Sequence, residues 1–87
     1  LEKTVEIRRS DIDFNDHVHN LVYLDYAMQV LPEEVYKAAK FKSLRVTYKT
    51  AVKSGGSVRC KYAQIEDKHI VFIYNEDDQL CTMIQLS

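Results

Sequence analysis

Helix and strand breakers are scarce in this chain. It has one proline, Pro32, and two glycines, adjacent at Gly55 and Gly56, in 87 residues. Cysteine is almost as rare: Cys60 and Cys81 stand alone, with no CxxC pair, which excludes a disulfide framework. They read as buried free thiols in a reducing compartment. No charge dominates, since 12 Lys and Arg meet 13 Asp and Glu for a net charge of -1, and the two signs are interspersed. Phosphate binding needs a concentrated basic face, so nucleic acid is not an expected partner. No apolar run is long enough to span a membrane and nothing resembles a signal peptide. There is no repeat and no low-complexity tract. What is present is an ordinary apolar share of 46%, which suits one small folded domain of the size that gains from oligomerisation. Because it starts at Leu1 and not at Met, the chain reads as a fragment or a processed product.

The pattern along the chain is that of strand, buried helix, short helix and four strands. Residues 3–9 alternate, with Val5 and Ile7 on one face and Thr4, Glu6 and Arg8 on the other, as in a half-buried strand. Residues 10–19 are polar and turn-rich. From Asn20 the spacing becomes helical: Leu21, Leu24, Met28 and Leu31 form one apolar row, and Tyr23, Ala27 and Val30 a second. Only Asp25 and Gln29 form a polar stripe, so this helix is expected to be largely buried. Pro32, Glu33 and Glu34 open a second helix that Lys37 and Lys40 suit at its other end. Leu44, Val46 and Tyr48 then alternate with Arg45, Thr47 and Lys49. Val58, Cys60 and Tyr62 repeat the pattern, followed by "HIVFIY", apolar on both faces, and "LCTMIQL". The turns "KSGGS", "EDK" and "NEDDQ" between them imply consecutive antiparallel hairpins. The fold class is therefore α+β, with an antiparallel sheet wrapped around one long helix, which is the hotdog architecture. A split βαβ sandwich would need a second full-length helix among the later strands, and none is visible.

The stretch "SDIDFNDHVHNLVYLDY", residues 10–26, concentrates the chemistry. Capping accounts for Asp16 or Asn20 taken singly. It does not account for Asp13, Asn15, His17 and His19, which fall at every second position. A metal site would draw on His17, His19 and Asp13, with His69 as a further ligand, but no third ligand of definite spacing accompanies the HxH pair. A catalytic reading uses the positive N-terminal end of the following helix, near Asn20 and Leu21, to hold an oxyanion. His17 would take a proton from water or position it, Asn15 would bond the water or a substrate carbonyl, and Asp13 would orient the histidine. Those parts suit acyl hydrolysis without a serine or cysteine nucleophile. Cys60 and Cys81 lie in strands far along the chain and are not favoured for that role.

"RRSDIDFNDHVHNLVYLDYAMQVLPEEVY" resembles the acyl-acyl carrier protein (ACP) thioesterases of bacteria and plastids. Asp13, Asn15, His17, Val18, Asn20 and Tyr23 match their acidic–Asn–His motif and the helix after it. His19 replaces the first Asn of an Asn pair. "YKTAVKSGGSV" is similar to the strand and turn that follow the helix, so the resemblance covers nearly the whole chain. It implies hydrolysis of a fatty acyl thioester to fatty acid and carrier thiol, without a metal or organic cofactor. The implied catalytic residues are Asp13, Asn15 and His17, with the helix N-terminus at Asn20 and Leu21 as oxyanion donor. The implied partners are an acyl-loaded ACP and either an N-terminal hotdog domain or a second copy of this chain, in a bacterial cytoplasm in preference to a plastid. The family resembles two hotdog domains in tandem with the catalytic loop in the second, and residues 1–87 match that second one. The family's catalytic Glu, and the Cys that follows it in some members, are replaced by Ala51 and Val52. A homodimeric acyl-CoA thioesterase, whose relatives share an "HVNN" signature, and a non-catalytic acyl-binding or dimerisation domain are the alternatives. Ala51 supports the latter.

Overall fold

The computed structural model of the chain describes residues 2–12, 22–38, 43–50 and 56–87. Its strands are β1 (Glu2–Glu6), β2 (Leu44–Tyr48), β3 (Ser57–Ile65), β4 (Lys68–Tyr74) and β5 (Leu80–Leu86). They form one five-stranded sheet in the order β1-β3-β4-β5-β2, and every pairing is antiparallel. Tight turns explain the three central neighbours, because β3, β4 and β5 follow one another through Glu66–Asp67 and Asn75–Gln79. The two outer strands have another cause. β1 and β2 are consecutive in the chain yet lie at opposite edges, so the segment between them must cross the sheet. That segment holds α1 (Val22–Val30) and α2 (Glu33–Ala38), and α1 packs on β1, β3, β4 and β5. The hotdog architecture expected from the sequence is the one observed.

Cross-strand partners share a face, so the register identifies the helix side of the sheet. Val5 with Val58, Cys60 with Ile73, Val71 with Ile84 and Leu44 with Leu86 lie there. All but Leu44 are buried, and with Tyr23, Tyr26, Ala27, Val30 and Leu31 they make up most of the core. The apolar spacing of α1 thus found its burial, but not symmetrically. Its core face is the row through Tyr23, Ala27 and Val30, joined by Tyr26, whereas Leu24 and Met28 are half-buried and Asp25 and Gln29 exposed. A helix lying on one sheet buries the side that touches it, and the rest stays at least partly open in a single chain.

Two other expectations change in detail. The first strand ends at Glu6 and not at residue 9, and Arg9–Asp11 form a 3-10 turn. The Ile7 amide still reaches Gly56 O, just before β3, at 3.0 Å, and the Arg8 amide, which faces away from β3, is taken by the Asp11 carboxylate at 2.9 Å. The alternation in β2 does place Leu44, Val46 and Tyr48 on the helix side, yet Leu44 and Tyr48 remain 51% and 50% exposed. β2 is an edge strand with one neighbour, and α1 packs chiefly on the other four strands. Gly56 has φ +78, and its α-carbon lies against the Glu76 carboxylate. Glu76 in turn accepts the Ser57 amide at 2.9 Å. The start of β3 is therefore pinned both to β1 and to the β4–β5 turn.

Candidate functional site

Asp13, Asn15, His17, Asn20 and Leu21 lie outside the described residues, as do Asp16, Val18, His19, Ala51 and Val52. The structure does define the frame on either side of the 13–21 segment. On the N-terminal side stands Asp11, 2% exposed. Its Oδ2 accepts the Arg8 amide at 2.9 Å and the Tyr26 hydroxyl at 2.8 Å. Its Oδ1 pairs with the Arg8 guanidinium at 3.1 Å. A carboxylate taken out of water costs several kcal/mol unless donors replace the lost solvent. Here burial alone would push the Asp11 carboxyl up, but the bonds from the Arg8 amide, the Arg8 side chain and Tyr26 outweigh it and hold the group below its ordinary value of 3.8. The same bond, with burial as the larger cause, pushes the Tyr26 phenol well above its ordinary 10.0. Asp11 is thus held as an anion and Tyr26 as a neutral donor.

On the C-terminal side α1 enters the description at Val22. Tyr26 stands edge-on to Tyr23 with centroids 6.3 Å apart and an interplanar angle of 90°. Tyr23 in turn meets Tyr48 of β2 at 5.7 Å. A continuous run, Asp11–Tyr26–Tyr23–Tyr48, therefore joins the turn after β1, the first half of α1 and the far edge of the sheet. It crosses at the N-terminal end of α1, where the helix dipole is positive and unpaired amides favour negative charge.

His69 is at the other end of the sheet. It lies four residues along β4 from Ile73, which faces Thr82 and through it Tyr48, so roughly 13 Å separate it from the tyrosine end. Its Nδ1 is 2.6 Å from the Tyr62 hydroxyl, and the two rings stack at 5.9 Å. Among the described residues no three His, Cys, Asp or Glu side chains are grouped to hold a metal ion. Both cysteines are buried. Burial pushes the Cys60 thiol up to about 12 and raises that of Cys81 as well. Uncharged, enclosed thiols are poor nucleophiles. Sequence reasoning missed Asp11 and Tyr26. The signal was available: Asp11 begins the every-second-residue series that continues through Asp13, Asn15 and His17, and Tyr26 lies three residues after Tyr23 and four before Val30 on the core side of α1.

Residues 1–85 match the family described as acyl-ACP thioesterase C-terminal domain. The chain belongs to this family. Among curated relatives, oleoyl-acyl carrier protein thioesterase 2 of Arabidopsis thaliana, a chloroplastic protein, is 31% identical over 42 residues, 48% of this chain and 11% of the plant protein. Among solved structures, an acyl-ACP thioesterase from Bacteroides thetaiotaomicron superposes with a TM-score of 0.85 at 19% identity, covering 97% of this chain and 35% of that one. The protein SAV2348 from Staphylococcus aureus, solved in complex with CoA, gives 0.82 at 18% identity, covering 99% of this chain and 71% of the other. The structural likenesses show a shared hotdog fold. This family domain spans about a third of the Bacteroides chain. Among its described residues no helix is long and apolar enough to cross a membrane.

Proposed function

We propose that this domain is the C-terminal, catalytic half of an acyl-ACP thioesterase, which hydrolyses fatty acyl-ACP to free fatty acid and carrier thiol in fatty acid biosynthesis. The observation that carries the reading is the family match across residues 1–85, which contains Asp13, Asn15 and His17. In this reading His17 takes a proton from water as the water oxygen attacks the thioester carbonyl. Asn15 holds the water and the carbonyl, and Asp13 orients the histidine. The oxyanion is met by amides at the start of the helix, at Asn20 and Leu21. The carbon–sulfur bond then breaks, and the proton passes from His17 to the departing thiolate. No metal or organic cofactor takes part.

The partners are an acyl-loaded ACP and a second hotdog unit, supplied by an N-terminal domain of the same protein or by another copy of this chain. The apolar helix-side residues Leu44 and Tyr48 on the β2 edge, half-exposed in the single chain, support such pairing, since an uncovered edge strand is a template for another. The setting is a bacterial cytoplasm, where Cys60 and Cys81 stay reduced. Two other readings have an observation each. Likeness to a protein solved with CoA favours a homodimeric acyl-CoA thioesterase. Ala51, where the resemblance places a carboxylate, favours a non-catalytic acyl-binding or dimerisation role. Steady-state hydrolysis of matched acyl-ACP and acyl-CoA by the natural full-length protein separates all three. Turnover with a preference for the ACP thioester supports the proposal, a preference for CoA replaces the carrier, and no turnover on either sinks it.

A further inference from the structure

The bond between Asp11 and Tyr26 joins residues fifteen apart that lie on either side of the segment carrying Asp13, Asn15 and His17. We propose that Asp11 and Tyr26 are positioning residues for the hydrolytic site, an inference that rests on the thioesterase reading above. Three features carry it.

The first is chemical economy. A buried ionic group adds little net stability, and an apolar pair of similar volume is often as stable or more so. What a carboxylate with directed donors supplies is a defined position, and Asp11 has donors on both oxygens: the Arg8 amide and the Tyr26 hydroxyl on Oδ2, the guanidinium on Oδ1. The second is rigidity at the other end. The Tyr26 ring is fully buried and set at 90° against Tyr23, so its hydroxyl has one direction in which to point. The third is covalent proximity. Asp13 is two residues beyond Asp11, and Leu21, invoked for the oxyanion, is five residues before Tyr26 in the chain. The bond therefore fixes the chain's entry to the site segment against the helix at its exit. A misplacement of about 1 Å in such a constellation can cost ~100-fold in rate.

The test uses the natural full-length protein with Tyr26→Phe, Asp11→Asn and the two combined. Val71→Ala serves as a control, because it removes buried volume from β4 away from the bond. Acyl-ACP kinetics and the NMR titration of the His17 ring are read for each folded variant. Tyr26→Phe removes a single oxygen and keeps its ring, so it remains a usable probe even if Asp11→Asn does not fold. Its kcat is expected to fall ~10-fold or more with KM within about twofold. Adding Asp11→Asn should cost little beyond the larger single effect, since both break one bond. The His17 signals should move in Tyr26→Phe and stay in place in Val71→Ala. An unchanged kcat in folded Tyr26→Phe, or an equal loss in the control, overturns the positioning role. If the wild type does not hydrolyse the thioester, the thioesterase reading fails by itself. The His17 signals then decide the positioning role alone: displaced by Tyr26→Phe they uphold it, unmoved they overturn it.

Discussion

Tyr26 and Tyr62 each bring a phenolic hydroxyl to a partner on the helix side of the sheet, Tyr26 to the Asp11 carboxylate at 2.8 Å and Tyr62 to the His69 ring at 2.6 Å. The two bonds have similar lengths but very different settings. Tyr62 and His69 sit on β3 and β4, strands already joined by a continuous backbone ladder from Arg59 to Ile65, and both side chains are only half-buried. Their bond adds to a connection that exists without it. Asp11 and Tyr26 are both buried, on a turn and a helix with no ladder between them. There the side-chain bond is itself the connection. The helix side of one sheet thus holds a redundant polar contact at one end and a decisive one at the other, and the decisive one joins the two residues that flank Asp13, Asn15 and His17 in the chain.

This contrast can be broken by mutation. Asp11→Ala leaves the Tyr26 hydroxyl and the Arg8 amide without their acceptor and should have the largest effect, a loss of about 3 kcal/mol in urea unfolding. A loss below ~1 kcal/mol would mean that the turn needs no carboxylate. Tyr26→Phe keeps the ring and the Arg8 bonds and should cost about 2 kcal/mol. Acidification sharpens the comparison further. Asp11 is depressed in the folded state, so its contribution is complete above the unfolded value of about 4 and disappears as pH falls through the lower folded value. Tyr26 is raised in the folded state, so its contribution holds below pH ~10 and is lost only as pH rises beyond that. The stability gap between wild type and Asp11→Asn should therefore stay level from about pH 5 to 9 and close in acid. A gap that persists at pH 2 would assign it to shape and not to charge. Tyr62→Phe should have the smallest effect, at most ~1 kcal/mol, and an effect as large as that of Tyr26→Phe would erase the distinction.

The fold was legible because its signals are local and repeated. Alternation marked Val58, Cys60 and Tyr62, tight turns joined β3 to β5, and helical spacing without a breaker marked α1. What the pattern could not show was which side of α1 meets the sheet. Both rows are apolar, and the choice of Tyr23, Ala27 and Val30 over Leu24 and Met28 is made by tertiary packing. Nor could alternation show that Leu44 and Tyr48 stay half-exposed, because an edge position depends on strand order. The same holds for the site. Its motif residues stand out in the sequence by spacing and by resemblance, whereas Asp11, though it begins the same alternation, takes its meaning from a hydroxyl fifteen residues away.

The central claim is that His17, ahead of α1, drives hydrolysis of an acyl-ACP thioester. Its most direct test is the turnover of acyl-ACP by the natural full-length protein, wild type against a folded His17→Ala variant. Loss of a general base predicts a fall in kcat on the order of 10²–10⁴-fold, with unfolding stability changed by no more than ~1–2 kcal/mol. Unchanged turnover in the folded variant would contradict the account.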